Sequence, residues 1–344
     1  MKSIGYAQKK ATPNVGKPPS SFNVESATGI DIRTTLRKVP PMRPGWILPM
    51  MAVLLCGCGR RQVLPPPKAV AVREDGAIAL RLVTFNLRYE NDGDRGPRNW
   101  HERSVAAVRS LCRMKPDVFG VQEALHGQVA DLWASLPDYD FTGVGRDDGR
   151  TLGEYTGIFF RRDRFVKDTS DAGTFWLSDT PEVPGSKTWG NEIPRIACWA
   201  RLTDRATDRS FYVVATHWDH RNQPSREKAA RLIAQRIDAR RHGDEPVVLL
   251  GDFNAVEGNP AVTYLLGQGG WKNGLVDAFD SRHHGEGNRT TLHFWDGKRA
   301  GTRNVDHILV SKGARVLEAD IIVDPEPYPS DHFPVTARVE FPRP

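Results

Sequence analysis

The sequence predicts an α/β protein whose folded domain begins near residue 78, and three observations carry that prediction. From there onward, short runs rich in β-branched residues alternate with a few helix-like stretches. Val247–Leu250 is apolar at every position, as a strand covered on both faces requires. Several runs end in, or are opened by, a carboxylate, an amide or an imidazole. That last feature is the functional clue, because ligand sites in α/β folds gather at strand ends.

In chain order, Ile78–Phe85 alternates as a strand and ends at Asn86. Arg88, two residues on, is expected to share the face of Asn86. Trp100–Met114 carries Val105, Val108, Leu111 and Cys112 at helix spacing. Asp117–Val121 ends in Gln122-Glu123. The glycine-punctuated stretch Gly143–Tyr155, holding Arg146 and Glu154, reads either as a solvated loop or as a segment that chooses substrate. The same alternatives apply to Thr188–Arg195, ahead of the strand Ile196–Leu202. Phe211–Ala215 ends in Thr216-His217, with Trp218 next; a tryptophan there could stack on a substrate ring. Pro224–Arg241 is an amphipathic helix with Ala229, Leu232, Ile233 and Ile237 on one side. Val247–Leu250 runs into Gly251-Asp252-Phe253-Asn254. Leu292-His293-Phe294-Trp295 precedes Asn304-Val305-Asp306, which leads into Ile308–Val310. Asp331-His332 opens the last run, Phe333–Phe341. Neighbours in a strand point to opposite faces, so only one of Asp306 and His307 can face a site. His220, His283, His284 and His293 read as surface or loop histidines, with His220 and His293 the better placed to neighbour a substrate.

Composition removes other classes. With 344 residues, 39% hydrophobic and 26% charged, the chain is neither a disordered polymer nor a disulfide miniprotein. The net charge of +6 invites a nucleic-acid reading, but its distribution argues against one. Residues 1–75 hold 12 Lys and Arg against 4 Asp and Glu, whereas residues 76–344 hold 36 against 38. The region from residue 76 onward is therefore slightly acidic, and nucleic acid is an allowed but not a favoured partner. Cys112 and Cys198 form no disulfide framework or zinc spacing.

The basic segment resolves into three parts. Residues 1–41 are polar and without apolar periodicity, and read as disordered or as an extension not translated in nature. Residues 42–58 read as a signal peptide: basic Arg43, the short apolar run Trp46–Leu55, then Leu55-Cys56-Gly57-Cys58. The run is about half the roughly 20 residues that a spanning helix needs. The tetrapeptide resembles a bacterial lipobox, which makes Cys58 the expected lipidation site. Residues 59–77, with Pro65-Pro66-Pro67, read as a stiffened linker to a domain at 78–344. A buried helix with two incidental cysteines is the alternative. The expected protein is a monomer in the cell envelope, anchored by lipid on the periplasmic or outer-membrane face.

Carboxylates with an amide oxygen suit a hard cation such as Mg²⁺, and histidines with a further aspartate suit proton transfer beside an anionic transition state. Thr84-Phe85-Asn86, Gln122-Glu123, Thr216-His217, Gly251-Asp252-Phe253-Asn254, Asn304-Val305-Asp306 and Ser330-Asp331-His332-Phe333-Pro334-Val335 occur in that order. Together they resemble the endonuclease/exonuclease/phosphatase superfamily, which includes pancreatic deoxyribonuclease, apurinic/apyrimidinic endonucleases, neutral sphingomyelinases and inositol polyphosphate 5-phosphatases. Gly145-Arg146-Asp147-Asp148-Gly149 and Gly153-Glu154-Tyr155 are similar to its small secreted bacterial branch.

The resemblance implies a four-layered α/β sandwich, two mixed β-sheets packed face to face with helices outside. It implies Glu123 as the main metal ligand, with Asn86 and Asp331 nearby, for Mg²⁺ or Mn²⁺ in its place. Asp252 would deprotonate the attacking water. Asn254 would hold Asp252 and a phosphate oxygen. His217 would donate to a non-bridging oxygen, and His332, paired with Asp306, would stabilise the pentavalent phosphorus. Arg88, Arg195, Trp218 and Glu154 are the expected substrate-binding residues. Arg88 resembles the phosphate-binding arginine of the deoxyribonuclease branch; apurinic endonucleases carry an acid there, so a second metal ligand at this position is not implied. The function implied is metal-dependent hydrolysis of a phosphomonoester or phosphodiester. A nuclease of the same fold and a non-catalytic binding lipoprotein are the alternatives.

Overall fold

The structure, a computed structural model, describes residues 76–343. The expectations for residues 1–41, the signal and lipidation site at 42–58, and the linker up to residue 75 lie outside the described residues.

Two strand–helix–strand units stand at the centre of the fold. The first is β1 (Ile78–Asn86), α1 (Trp100–Met114) and β2 (Val118–Ala124); the second is β7 (Arg209–His217), α3 (Gln223–Asp238) and β8 (Val247–Asp252). In each the two strands pair in parallel, which a helical crossover makes possible. Antiparallel strands extend both units into six-stranded sheets. The first adds β3 (Tyr139–Gly145), β4 (Tyr155–Arg161), β11 (Arg315–Ile321) and β12 (Val335–Phe341), in the order β11-β12-β1-β2-β4-β3. The second adds β5 (Phe165–Trp176), β6 (Ile196–Asp204), β9 (Val276–Asp277) and β10 (Asp306–Val310), in the order β5-β6-β7-β8-β10-β9.

The sheets face each other across one apolar layer. Leu80, Leu82, Ile158 and Phe160 of the first pack with Val213, Ala215, Val248, Leu250 and Ile308 of the second. The outer face of the first sheet, with Val83, Phe85, Phe119 and Val121, is covered by α1 and by α2 (His126–Ser135) through Leu111 and Leu132. Tyr212, Val214 and Leu249 pack instead under Ala229, Ile233 and Ile237 of α3. This is the four-layered sandwich. Asn99 and Asn222 cap α1 and α3 by accepting from the backbone amides of His101 and Ser225.

Two expectations change. α3 ends at Asp238, not Arg241. On α1, Val105 and Cys112 are exposed, and the buried face is Trp100, Arg103, Ala107, Ser110, Leu111 and Met114. The face turned because a charged residue belongs to it: the Arg103 guanidinium donates to the carbonyls of Leu87, Arg88, Arg98 and Pro329, so its burial satisfies backbone groups around the end of β1.

Register gathers the polar strand ends on one rim. β1, β2, β7 and β8 finish there, and β4, β6, β10 and β12 begin there, as Thr84 opposite Val335, His217 beside Asp252 and Asp306 opposite Asp252 show. Period-two alternation supplies the rest. Leu80 and Leu82 lead to Asn86 on the inter-sheet face; Val213 and Ala215 lead to His217; Val248 and Leu250 lead to Asp252. His217 and Asp252 are the next inward positions after their apolar series, and Asn86 follows one step later, after the buried Thr84, at the point where the core ends.

Candidate active site

Glu123 breaks that alternation. Phe119 and Val121 face outward, so strict period two would send Glu123 outward as well and put Gln122 into the site. The register of β2 against β4 slips between Val121 and Ala124, and Glu123 has φ 63°. This bulge turns its carboxylate back toward the other sheet. There the Asn86 Nδ2 donates to Glu123 Oε1 at 3.0 Å and to Asp252 Oδ2 at 2.9 Å. One amide thus joins carboxylates from the two sheets. The Tyr89 backbone N–H donates to Glu123 Oε2 at 3.3 Å.

Asp252 is buried and receives the Asn254 backbone N–H at 2.8 Å. Burial, with the charge of Asp306 next, pushes its carboxyl up to about 7. His332 places Nε2 4.0 Å from Asp252 and gives Nδ1–H to Asp306 Oδ2 at 2.8 Å. Burial works against its charge, but Asp306, with Asp252 and Asp331 after it, raises the imidazole to about 10. The other Asp306 oxygen, Oδ1, is buried without a hydrogen-bond partner among the described residues.

His217 lies 3.5 Å from Asp252, and its Nε2 accepts from the Asn254 side-chain amide at 3.1 Å. The ring is buried, and burial, then the charges of Arg195 and Arg146, hold it neutral, well below the usual range. Its one proton therefore sits on Nδ1, facing Glu154 Oε2 at 3.9 Å. The expected donation from His217 to a phosphate oxygen needs substrate on that Nδ1 side. Asn254 holds Asp252 through its backbone, while its side chain is committed to His217 and the Trp218 carbonyl.

The remaining expected residues divide. Asn86 turns its nitrogen to the carboxylates, and its oxygen accepts from the Arg88 backbone, so it presents no oxygen to a cation between them. Asp331 is buried and 3.9 Å from an Arg88 nitrogen; it does not join the trio. Arg88 does not share the strand face of Asn86: β1 ends, Arg88 takes φ 54°, and its guanidinium pairs with Asp94 at 2.9 Å. Trp218 lines no substrate surface. It is wholly buried and stacked on Phe253 at 4.3 Å. Of the two neighbours on β10, Asp306 faces the site, and His307 lies buried on the other face of the sheet. His293 is buried and stacks on Phe333, and His220 is exposed at the site's margin, bonded to Arg195.

Glu154 and Arg195 reach the rim from just before β4 and β6. Arg146 was missed, because in the sequence it is one charge in a glycine-rich loop. It is buried, with both terminal nitrogens on the Glu154 carboxylate at 2.6 and 2.7 Å. Burial raises Glu154 to about 7 despite Arg146. Arg195, 3% exposed, leaves Nε and Nη1 without a hydrogen-bond partner among the described residues. A buried donor left unmade costs roughly 1–3 kcal/mol, a cost tolerated where a ligand supplies the acceptor.

Glu123, Asp252 and His332 each offer one atom within 4.8 Å of the others. The donor set fits a divalent cation. Two carboxylates converge with only a neutral amide bridging them, and among the described residues no lysine or arginine reaches either by a hydrogen bond. Oxygen donors favour a hard ion, and the imidazole held protonated by Asp306 leaves the carboxylates to face it.

Comparison with known proteins identifies a family for the chain. The profile of the endonuclease/exonuclease/phosphatase family matches residues 83–332. An endonuclease/exonuclease/phosphatase of Bacteroides vulgatus is 34% identical with TM-score 0.71, covering 77% of this chain and 99% of that one. The mannosyl-6-phosphatase of Bacteroides thetaiotaomicron is 33% identical with TM-score 0.67, covering 76% and 99%. Nocturnin of Drosophila melanogaster is 26% identical over 212 residues, 55% of this chain and 30% of that protein. The chain spans 30% to 59% of the length of the curated relatives it matches.

Proposed function

Because the chain belongs to the endonuclease/exonuclease/phosphatase family, whose members are hydrolases of phosphoester bonds, we propose that it hydrolyses a phosphate ester of a small or lipid-linked substrate, with Mg²⁺ as its cation and Mn²⁺ able to replace it. The observation that carries this reading is the Asn86 amide shared between Glu123 and Asp252. Glu123 would hold the ion, which supplies positive charge to a phosphoryl oxygen. Asp252, brought to about 7 by burial, is a base matched to neutral pH and takes a proton from the attacking water. A bond forms between that water oxygen and phosphorus, the P–O ester bond breaks in line, and the departing alkoxide takes a proton from solvent, to which Asp252 later returns its own. His332, charged and held by Asp306, faces the developing negative charge.

The slightly acidic catalytic region and the likeness to a mannosyl-6-phosphatase favour a small substrate over nucleic acid. A panel of sugar phosphates, inositol phosphates, phospholipids and nucleic acids, each with Mg²⁺, Mn²⁺ and chelator, tests the reading. Cation-dependent turnover of a small ester is the expected result. Turnover confined to nucleic acid would replace it with the nuclease reading, and no turnover would leave a binding lipoprotein.

We further propose that the domain works outside the cytoplasm, anchored by lipid on Cys58. The order basic residue, apolar run, lipobox and proline linker supports this. Two acyl chains anchor stably where one is marginal. Intact mass of the native protein tests it: an unmodified chain still carrying Trp46–Leu55 would overturn it.

A further inference from the structure

Arg195 stands one residue ahead of β6, on the rim where Ala197 pairs with Thr216 and so beside the end of β7 that carries His217. Its Nη2 meets His220 Nδ1 at 3.0 Å, while Nε and Nη1 have no hydrogen-bond partner among the described residues. The nearest Asp219 carboxylate oxygen is 3.9 Å from Nε, beyond hydrogen-bond reach. No hydrogen bond joins Arg195 to Glu154, whose two oxygens each accept from Arg146. A guanidinium fork is thus held in place, buried, with two donors unspent at the edge of the catalytic group.

We propose that Arg195 selects phosphate monoesters: its unspent donors take the third non-bridging oxygen, which a monoester has and a diester lacks. The inference rests on the phosphoester-hydrolase reading above. In a diester that position is an ester oxygen, a weak acceptor carrying a carbon substituent that must be packed beside a buried charge. Arginine meets an anionic oxygen pair or a single oxygen with a rigid fork, which lysine cannot copy.

The test compares kcat/KM for 4-nitrophenyl phosphate and bis(4-nitrophenyl) phosphate, with Mg²⁺ or Mn²⁺, in wild type, Arg195→Gln and Arg195→Lys. Wild type should prefer the monoester. Arg195→Gln should lower monoester turnover roughly 10- to 100-fold, the loss of a charged hydrogen bond, and leave the diester within about threefold. Arg195→Lys should fall between. Equal loss on both esters, or wild-type preference for the diester, would overturn the proposal and leave the phosphoester reading standing. Hydrolysis of neither ester, nor of any member of the wider panel, would remove both. Should the buried substitutions prevent folding, wild type alone decides: inorganic phosphate should inhibit at least about tenfold more tightly than dimethyl phosphate, and equal inhibition would contradict the role of Arg195.

Discussion

Asp306 and His307 are neighbours on β10, and each belongs to a histidine–aspartate pair of 2.8 Å, one on either face of the same sheet. On the inter-sheet side Asp306 holds His332; on the outer side His307 is held by Asp277. Both imidazoles are buried, which works against their charge, and in both the paired aspartate is the foremost of the groups that raise the pKa. The difference lies in the second nitrogen. His307 Nε2 meets the Ala255 carbonyl at 2.9 Å, so both nitrogens face acceptors, and its ring stacks on Phe253. It is a closed, charged strut. His332 keeps Nε2 directed toward Asp252, and Asp306 keeps one oxygen unpartnered among the described residues. The pair that can act is the one with a donor left over.

Substitutions should separate the two pairs. The largest effects belong to the inter-sheet face: Asp252→Asn and His332→Ala should each lower kcat by at least about 100-fold with little change in KM. Rates within a few-fold of wild type would remove these residues from the chemistry. Asp306→Asn keeps shape but withdraws the charge that holds His332, and kcat should fall about 10- to 100-fold, as loss of a group orienting a functional histidine does.

On the outer face, His307→Gln should leave kcat within about twofold and lower stability by about 2 kcal/mol, the worth of a buried charged hydrogen bond. The sign with pH is set by a raised pKa. The stabilisation is fully present below the unfolded histidine value of about 6.5, and is lost as pH rises through the higher folded value. The Tm difference from wild type should therefore shrink in alkaline buffer; a difference that grew would contradict the charged strut. The smallest effect should come from Trp218→Phe, which keeps an aromatic ring against Phe253. A modest fall in Tm with unchanged KM is expected, and a raised KM would place Trp218 at the substrate after all.

The same contrast explains what could be read in the sequence. Asn86, His217 and Asp252 were legible because each continues an inward alternation past the last core residue, and Asp306 opens one in the same way. Glu123 was found by its motif, although strand period alone points it outward; the bulge that turns it inward has no sequence signal of its own. Arg146 was hidden because a buried arginine in a glycine-rich hairpin looks like a solvated charge until Glu154 is seen to grip it. Trp218 misled because proximity in the chain to His217 put it on the opposite strand-end face, beneath the site. Val105 and Cys112 misled because counting apolar residues on α1 ignored Arg103, whose polar end is needed inside.

The central claim is that Glu123 holds a divalent cation, beside the Asp252 base, on which hydrolysis depends. It is tested most directly by initial rates on a small aryl phosphate, titrated with Mg²⁺, for wild type and for Glu123→Gln with its fold verified. The account predicts a saturable Mg²⁺ dependence abolished by chelator, and a substitution that weakens apparent Mg²⁺ affinity and lowers the rate together. Wild-type Mg²⁺ dependence retained by Glu123→Gln, or hydrolysis indifferent to chelator, would contradict it.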